Sequence, residues 1–282
     1  MSTLAITVID VGWGDSILLE SQQGRQTYYA LVDSNDTTNA RSSYSFLKRF
    51  FQLRGKDTSR PNFTFEFVLL THNHADHASG LSRIIRDFGA RRFLYSDSNP
   101  HPLLAQITRY ANRQDARLLH AQPVDNTTDL RQISFGAVSL EILWPNVGYV
   151  DADENNHSVV LSLTLDSTSF VLTGDATANI WSSIIPRLPK STRVFQVPHH
   201  GARNGTFDDA QNTPWLSHFR TQKNEVAAVM SSHIAPHKHP HAHVIAALGA
   251  PPQPIAQYRT DLHYHVRFET DGKEVSVKYS HV

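Results

Sequence analysis

The segment Thr71-His72-Asn73-His74-Ala75-Asp76-His77 places three imidazoles and a carboxylate within six positions. Nitrogen and oxygen donors at this density are the side chains that hold borderline divalent cations. In an extended segment alternate residues point the same way, so His72 and His74 share one direction. Asp76 and His77 come after the chain turns towards a helix and face a neighbouring point. That division suits two cations a few ångströms apart, each taking part of the cluster. The plainer reading, Asp76 as a helix N-cap, needs one acceptor and leaves three histidines without a purpose.

Two cations need more donors. Four candidates fall at the ends of expected strands or turns: His157, Asp175, His199 and His200. Asp175 closes Phe170-Val-Leu-Thr-Gly-Asp175, where Gly174 lets the backbone bend. A carboxylate there bridges two cations with its two oxygens, or else caps a helix starting at 176. His199-His200-Gly201 follows a strand at 194–197; taken alone it reads equally well as a buried imidazole pair. His157 alone reads as an edge-strand histidine. What groups these residues is their common place where strands stop, since a strand end aims side chains into a crevice from a rigid base. Pro236-His-Lys-His-Pro-His-Ala-His243 is an interrupted His-rich stretch, either a surface loop or a wall of the same crevice. Asp151-Ala-Asp-Glu154 reads as a solvated acidic loop. Arg83, Arg86, Arg91 and Arg92 read as solvated cations or a phosphate-facing patch.

The elements that must position these residues follow from periodicity. Strands are expected at 4–9, 16–20, 27–33 and 63–70, the last ending fully apolar as a strand covered on both faces does. Helical spacing marks 40–54, 79–88 and 101–114. Hairpins are expected for 131–135 with 138–143 and for 157–165 with 169–173, followed by a helix at 176–185. Strands at 194–197 and 226–230, a helix at 241–248 and a hairpin around Asp271-Gly272 complete the chain. Strands first, helices interleaved and a second strand-rich half imply an α+β fold of two sheets between helices. No linker composition marks a boundary, so residues 1–282 are expected to form a single domain.

Composition narrows the function. Lys+Arg and Asp+Glu are 26 each, giving zero formal charge, so this chain has no basic surplus with which to coat long duplex nucleic acid. The absence of cysteine excludes disulfides and thiolate metal sites and leaves imidazole and carboxylate as donors. Of the 17 histidines, eleven lie from His199 onward. No apolar run of about 18 residues is present, so no membrane span is expected. The first residues lack the basic and apolar regions of a signal peptide, which points to the cytoplasm.

The motif His72-x-His74-x-Asp76-His77, with His157, Thr173-Gly-Asp175 and Pro198-His-His-Gly201, resembles the metallo-β-lactamase superfamily of di-metal hydrolases. Val11-Gly-Trp-Gly-Asp-Ser16, Leu31-Val-Asp33, Asn155-Asn-His-Ser-Val-Val-Leu161, His239-Pro-His241 and Tyr258-Arg-Thr-Asp261 occur in order with these. Together they resemble the ComEC-type competence and DNA-internalisation branch, from about residue 6 to 278. The resemblance implies an αββα sandwich of two mixed β-sheets. It also implies two divalent cations, zinc first and manganese second, and hydrolysis by a hydroxide bridging them. On this basis His72, His74 and His157 are expected at one cation, Asp76, His77 and one imidazole of the His199–His200 pair, assigned to His200 with His199 as the alternative, at the other, and Asp175 between them. Asp76 is expected to orient the hydroxide as well, and His199 to line the site or contact substrate. His241, at the mouth, is expected to bind a phosphate oxygen or protonate a leaving group. Asp33 and Asp10 are candidates for orienting the ligand imidazoles, or are turn-stabilising carboxylates.

The chain departs from that branch at Trp13, where glutamine is typical, at His74 and His157, which restore donors often missing there, and at Ala202, where serine is usual. The membrane channel of the branch is not expected within residues 1–282. The implied substrate is a phosphodiester in DNA, RNA or a nucleotide. A lactone, ester or thioester hydrolase and a non-catalytic metal-binding module are the alternatives.

Overall fold

The computed structural model describes residues 1–36, 42–59, 62–96, 102–111, 117–222 and 225–280. The start of the helix expected at 40–54 and both ends of the one expected at 101–114 lie outside these residues. In chain order the strands are β1 (Ser2–Val8), β2 (Ile17–Gln23), β3 (Gln26–Val32), β4 (Phe67–Leu70), β5 (Ala90–Ser96), β6 (Leu118–Val124) and β7 (Ser139–Trp144). They continue with β8 (Val160–Leu165), β9 (Thr168–Leu172), β10 (Thr192–Gln196), β11 (Ala227–Met230), β12 (Ala256–Arg259), β13 (His265–Thr270) and β14 (Val275–Ser280). One sheet has the order β14-β13-β1-β2-β3-β4-β5-β6 and the other β12-β11-β10-β9-β8-β7. Both are mixed. β3 to β6 pair in parallel and the rest of the first sheet antiparallel. β9 to β12 pair in parallel, and β7, β8 and β9 antiparallel.

The two sheets meet across one apolar layer, with Leu4, Ile6, Leu19, Phe67 and Leu69 facing Leu161, Leu163, Phe170, Leu172 and Val229. The outer face of the first sheet packs Leu31, Val68 and Leu70 on Leu47 and Phe51 of the helix Ser43–Leu53 and on Leu81, Ile84 and Ile85 of the helix Leu81–Phe88. The outer face of the second packs Val171, Phe195 and Met230 on Trp181, Trp215 and Val244. This is the αββα sandwich the sequence implies. β4 shows why its residues are uniformly apolar: Phe67 and Leu69 point to the central layer, Val68 and Leu70 to the helices, and all four are buried. Burying each such side chain contributes about 1.5–3 kcal/mol, which fixes the strand whose end carries the His-rich turn.

Several expected elements differ. The hairpin expected at 131–135 is a short turn, Leu130–Gln132, after which Ile133 and Phe135 dip into the central layer. Alternating apolar residues look the same in a strand and in a loop pinned to a core. β6, β12 and the helix Pro214–Arg220 carry no strong periodic signal. β6 is a half-exposed edge strand containing Pro123, a residue tolerated only at such edges. The helix expected at 176–185 is split into short turns, Ala178–Ile180, Trp181–Ile184 and Ile185–Arg187. Among the described residues no helix is long and apolar enough to cross a membrane.

Candidate metal centre

Parallel strands share one direction, so β3 and β4 end together at one edge of the first sheet, and β9, β10 and β11 end together at one edge of the second. The chain leaves these ends as Asp33, Thr71 to His77, Thr173 to Asp175, Pro198 to Gly201 and Ser231. The edges are drawn close. Gly174, at φ +51°, leaves so little room that a Cβ there would lie 3.0 Å from Thr71 and 3.1 Å from Ser158. The Asp175 amide donates to Ser158 Oγ at 3.0 Å, and the His199 amide to the Gly174 carbonyl at 3.0 Å. The Asn73 amide donates to Glu154 Oε1, so the acidic loop holds the His-rich turn as well as facing solvent.

Three groups of donors result among the described residues, one of them, Asp15, Asp33 and His77, lying behind the other two. Of those two, Asp76, His77, Asp175 and His200 form one, and His72, His74 and Asp175 the other. Asp175 belongs to both. Its Oδ1 faces His77 Nε2 at 3.3 Å and His200 Nε2 at 3.4 Å, while its Oδ2 faces His72 Nε2 at 3.8 Å and His199 Nε2 at 3.6 Å. His72 Nε2 and His74 Nδ1 are 2.9 Å apart. Asp76 Oδ2 stands 3.8 Å from His77 Nε2 and 3.5 Å from His200 Nε2.

A surrounding set of groups settles which nitrogens face inward. His77 Nδ1 donates to Asp33 Oδ2 at 2.7 Å, and Asp33 also accepts from the Thr71 amide and hydroxyl. His200 Nδ1 donates to the Ser231 carbonyl at 3.0 Å. Both imidazoles therefore present Nε2 to the cluster, the arrangement in which a ligating ring is held by its other N–H. Asp15, 1% exposed, lies 3.5 Å from His200 Nδ1 and 3.9 Å from His77 Nδ1, with Gln196 Nε2 donating to its Oδ2 at 2.6 Å. His199 and His200 adopt left-handed φ values of 53° and 55°. For side chains other than glycine this costs on the order of 1–3 kcal/mol each and persists where a site demands it.

The electrostatics call for added positive charge. Within 4 Å, every ion-pair partner of Asp15, Asp33, Asp76 and Asp175 among the described residues is an imidazole. Burial alone would lower the pKa of His77, but Asp175, Asp33 and Asp76 outweigh it and hold the ring well above the usual histidine value. Burial is likewise outweighed at His200 by Asp175 and Asp15, which raise its pKa. Burial opposes ionisation of Asp175, yet His200, His77 and His199 keep it well below the carboxylate range. His72 is lowered by burial and by its neighbour His77. Asp175 Oδ1, His77 Nε2 and His200 Nε2 are buried with no hydrogen-bond partner. Three converging, unpartnered donor atoms are costly unless a cation lies among them, so the residues present fit divalent metal.

The structure brings together His72, His74, Asp76, His77, Asp175, His199 and His200. It does not bring His157 to them. His157 is buried at the end of the turn Glu154–His157, with Nε2 3.1 Å from the Asp151 carbonyl and 3.2 Å from the Asp151 amide, and its ring lies against Tyr149. His199 stands on the side of Asp175 where His157 was expected. His241 also lies away: it caps the helix Ala242–Gly249, accepting from the His243 amide, and stacks on the His243 ring. His239 faces the cluster instead, 5.8 Å from His199 and 6.5 Å from His200 between ring centroids. Asp33 orients a ligand imidazole, whereas Asp10 shapes the glycine turn by accepting from the Gly12 amide. Arg83, Arg86 and Arg91 pair with Asp36, Asp87 and Glu66. Sequence reasoning gave no role to Asp15 or Gln196; a carboxylate placed directly after a tight glycine turn was the available signal.

The family model described as the metallo-beta-lactamase superfamily matches residues 7–212. The chain belongs to that superfamily. Its members' shared fold makes this a metal-dependent hydrolase scaffold, in agreement with the donor groups. Among curated proteins it is similar to ComE operon protein 3 of Bacillus subtilis, 22% identical over 213 residues, covering 72% of this chain and 26% of the relative. It is also similar to Recombination protein 2 of Haemophilus influenzae, 28% identical over 189 residues, covering 67% and 20%. Both bear out the ComEC-type resemblance, and the chain spans about a quarter or less of their length. Among solved structures, YhfI of Bacillus subtilis superposes with a TM-score of 0.54 at 12% identity over 98% of this chain and 100% of its own. Unliganded yeast PDE1 superposes with 0.55 at 11% identity over 92% and 97%. At these identities the superpositions show the fold alone.

Proposed function

We propose that this chain is a two-cation hydrolase that cleaves a phosphodiester of a nucleotide or of single-stranded nucleic acid. The observation that carries it is the carboxylate of Asp175, with one oxygen turned to His77 and His200 and the other to His72 and His199. In this reading His72, His74 and His199 would hold one cation and Asp76, His77 and His200 the second, with Asp175 available to both. Bound there, two divalent cations supply Lewis acidity and lower the pKa of a water from its bulk value to about 7. The imidazole-rich donor set favours zinc, with manganese second.

The chain's own residues do the remaining work. Asp33 and the Ser231 carbonyl keep His77 and His200 in the tautomer that offers Nε2. Asp76, more exposed at 14% of its side chain than Asp175 at 2%, stands on the solvent side, where its carboxylate would accept a hydrogen bond from an attacking water and aim it. His199, 20% exposed, reaches both the cluster and the opening. The phosphodiester is supported by the ordered motifs shared with the ComEC-type branch. The neutral charge of this chain supports short or single-stranded substrates over coated duplex.

Metal analysis of the purified protein is expected to find close to two divalent cations per chain. Single-stranded DNA, RNA, a cyclic dinucleotide, a chromogenic phosphodiester, a lactone and a thioester are then assayed with zinc or manganese. Cleavage of phosphodiesters supports the reading. Activity confined to the lactone or thioester replaces the substrate, and metal binding without turnover of any of them removes the hydrolase.

A further inference from the structure

A row of flat side chains leads out of the centre. His239 lies against His199 and His200; His237 lies 5.9 Å from His239; Trp13 lies 5.3 Å from His237, edge to face. Both ends of the row are anchored to the metal-site backbone. On one side, the turn carrying Trp13 is held by the Asp15 amide donating to the Asp76 carbonyl, by Asn35 Nδ2 donating to the Trp13 carbonyl and by Ser231 Oγ donating to the Gly14 carbonyl. Gly14, at φ +90°, packs so closely that a Cβ would fall 2.4 Å from the Asp76 carbonyl oxygen. On the other side, the His241 amide donates to the Gly201 carbonyl, and Pro240 is packed on Gly201, where a Cβ would meet it at 2.6 Å. The two backbones that carry the row are therefore fixed to the segments that carry Asp76 and His200.

Trp13 differs from the other three tryptophans. Trp144, Trp181 and Trp215 are 2% exposed or less and sit in the outer core, whereas Trp13 is partly exposed and His237 is exposed. An aromatic pair left open to water has no core to stabilise. Its π-faces suit a flat partner of any sequence, and base–aromatic stacking supplies sequence-tolerant affinity for unpaired bases.

We propose that Trp13, His237 and His239 form a stacking wall that receives an unpaired nucleobase next to the scissile phosphodiester. The site thereby selects nucleotides and single strands over duplex, in which both faces of each base are already stacked. The inference rests on the phosphodiester reading above and deepens it.

Two measurements test it. In the first, metal-loaded protein is titrated with deoxyadenosine 5'-monophosphate and with deoxyribose 5-phosphate while tryptophan fluorescence is followed. Because the other three indoles are buried, a saturable quench by the nucleotide, absent with the sugar phosphate and absent in Trp13→Phe, is the expected result. Equal quenching by both ligands, or a quench that persists in Trp13→Phe, overturns the wall. In the second, the preference for a dinucleotide over its abasic counterpart is measured as the ratio of KM values. Trp13→Ala is expected to reduce that preference at least about fivefold, the lower end of base-stacking effects, while Trp13→Phe, which keeps a π-face, retains most of it. An unchanged preference in Trp13→Ala overturns the wall. If the unaltered protein cleaves neither dinucleotide, the phosphodiester reading fails, and the fluorescence result alone decides the wall.

Discussion

Asp33 Oδ2 lies 2.7 Å from His77 Nδ1, and the same carboxylate accepts the Thr71 amide and hydroxyl at 2.8 and 2.7 Å. Asp33 thus ties the end of β3 to the end of β4 and at the same time decides which nitrogen of His77 is offered to the cluster. It is fully buried and touches no other candidate ligand within hydrogen-bond distance save His77.

Asp33→Asn tests this orienting role. The amide keeps the shape but loses the charge that holds the imidazole proton on Nδ1. Loss of such a partner typically costs about 10- to 100-fold in metal affinity. Chelator competition on the purified variant measures it, with circular dichroism showing that the fold survives. An affinity within about twofold of the unaltered protein would mean that Asp33 is structural only.

His199 and His157 make opposite predictions although both are histidines in the superfamily motifs. His199 Nε2 is 3.6 Å from Asp175, while His157 Nε2 is turned to the Asp151 backbone. His199→Ala is expected to lower the metal content from about two towards one per chain and to reduce turnover by at least about tenfold. His157→Ala is expected to keep both metals and to lower thermal stability, because it empties a buried position beside Tyr149, at a cost of about 1–3 kcal/mol. Metal content by elemental analysis separates the two; a His157→Ala protein that loses one metal reverses the assignment.

The difference between these two histidines marks where the sequence stops being legible. The donors of the His-rich turn could be read because their spacing is local: alternation along an extended segment already divides His72 and His74 from Asp76 and His77. Asp175 could be read because a glycine precedes a carboxylate at a strand end. Which distant histidine completes the first group depends on how loops fold back between sheets, and no local period encodes that. The same holds for His239 against His241. Both lie in one loop, and the packing of Pro240 on Gly201 turns His239 towards the cluster and leaves His241 as a helix cap. The sandwich itself was legible because β4 is uniformly apolar, as a strand covered on both faces must be. Edge strands β6 and β12 were not, because half-exposed strands lack that uniformity.

Gly174 is expected to tolerate no side chain. Its φ is +51°, and a Cβ would stand 3.0 Å from Thr71, which precedes the ligand His72, and 3.1 Å from Ser158, which accepts the Asp175 amide. Gly174→Ala combines left-handed strain with crowding, together about 1–3 kcal/mol. It should also push Asp175 away from the two imidazole groups. The expected outcome is a folded protein with a lower melting temperature and less than one tightly held cation per chain. A variant with full metal content and unchanged melting temperature contradicts the close approach of the two sheet edges.

Protons and cations compete for the same atoms, and the sign of that competition can be worked out. Without metal, the carboxylates of Asp175, Asp33 and Asp76 raise His77, and those of Asp175 and Asp15 raise His200, so both rings hold their second proton to higher pH than a free imidazole. A group raised in the folded state stabilises the protein below its unfolded value, near 6.5, and loses that contribution as pH climbs through the raised folded value. Asp175, lowered well below the carboxylate range, is ionised throughout this window and adds no slope there. The chelator-treated protein should therefore lose melting temperature as pH rises above about 6.5, while the metal-loaded protein holds it, because cations replace the lost positive charge. Loading must also expel protons, since Nε2 of each ring has to be neutral to bind. Calorimetry in buffers of different ionisation enthalpy should show proton release at pH 7 and tighter binding as pH increases. Uptake of protons, or affinity that does not change between pH 6 and 8, would show that His77 and His200 are not among the ligands.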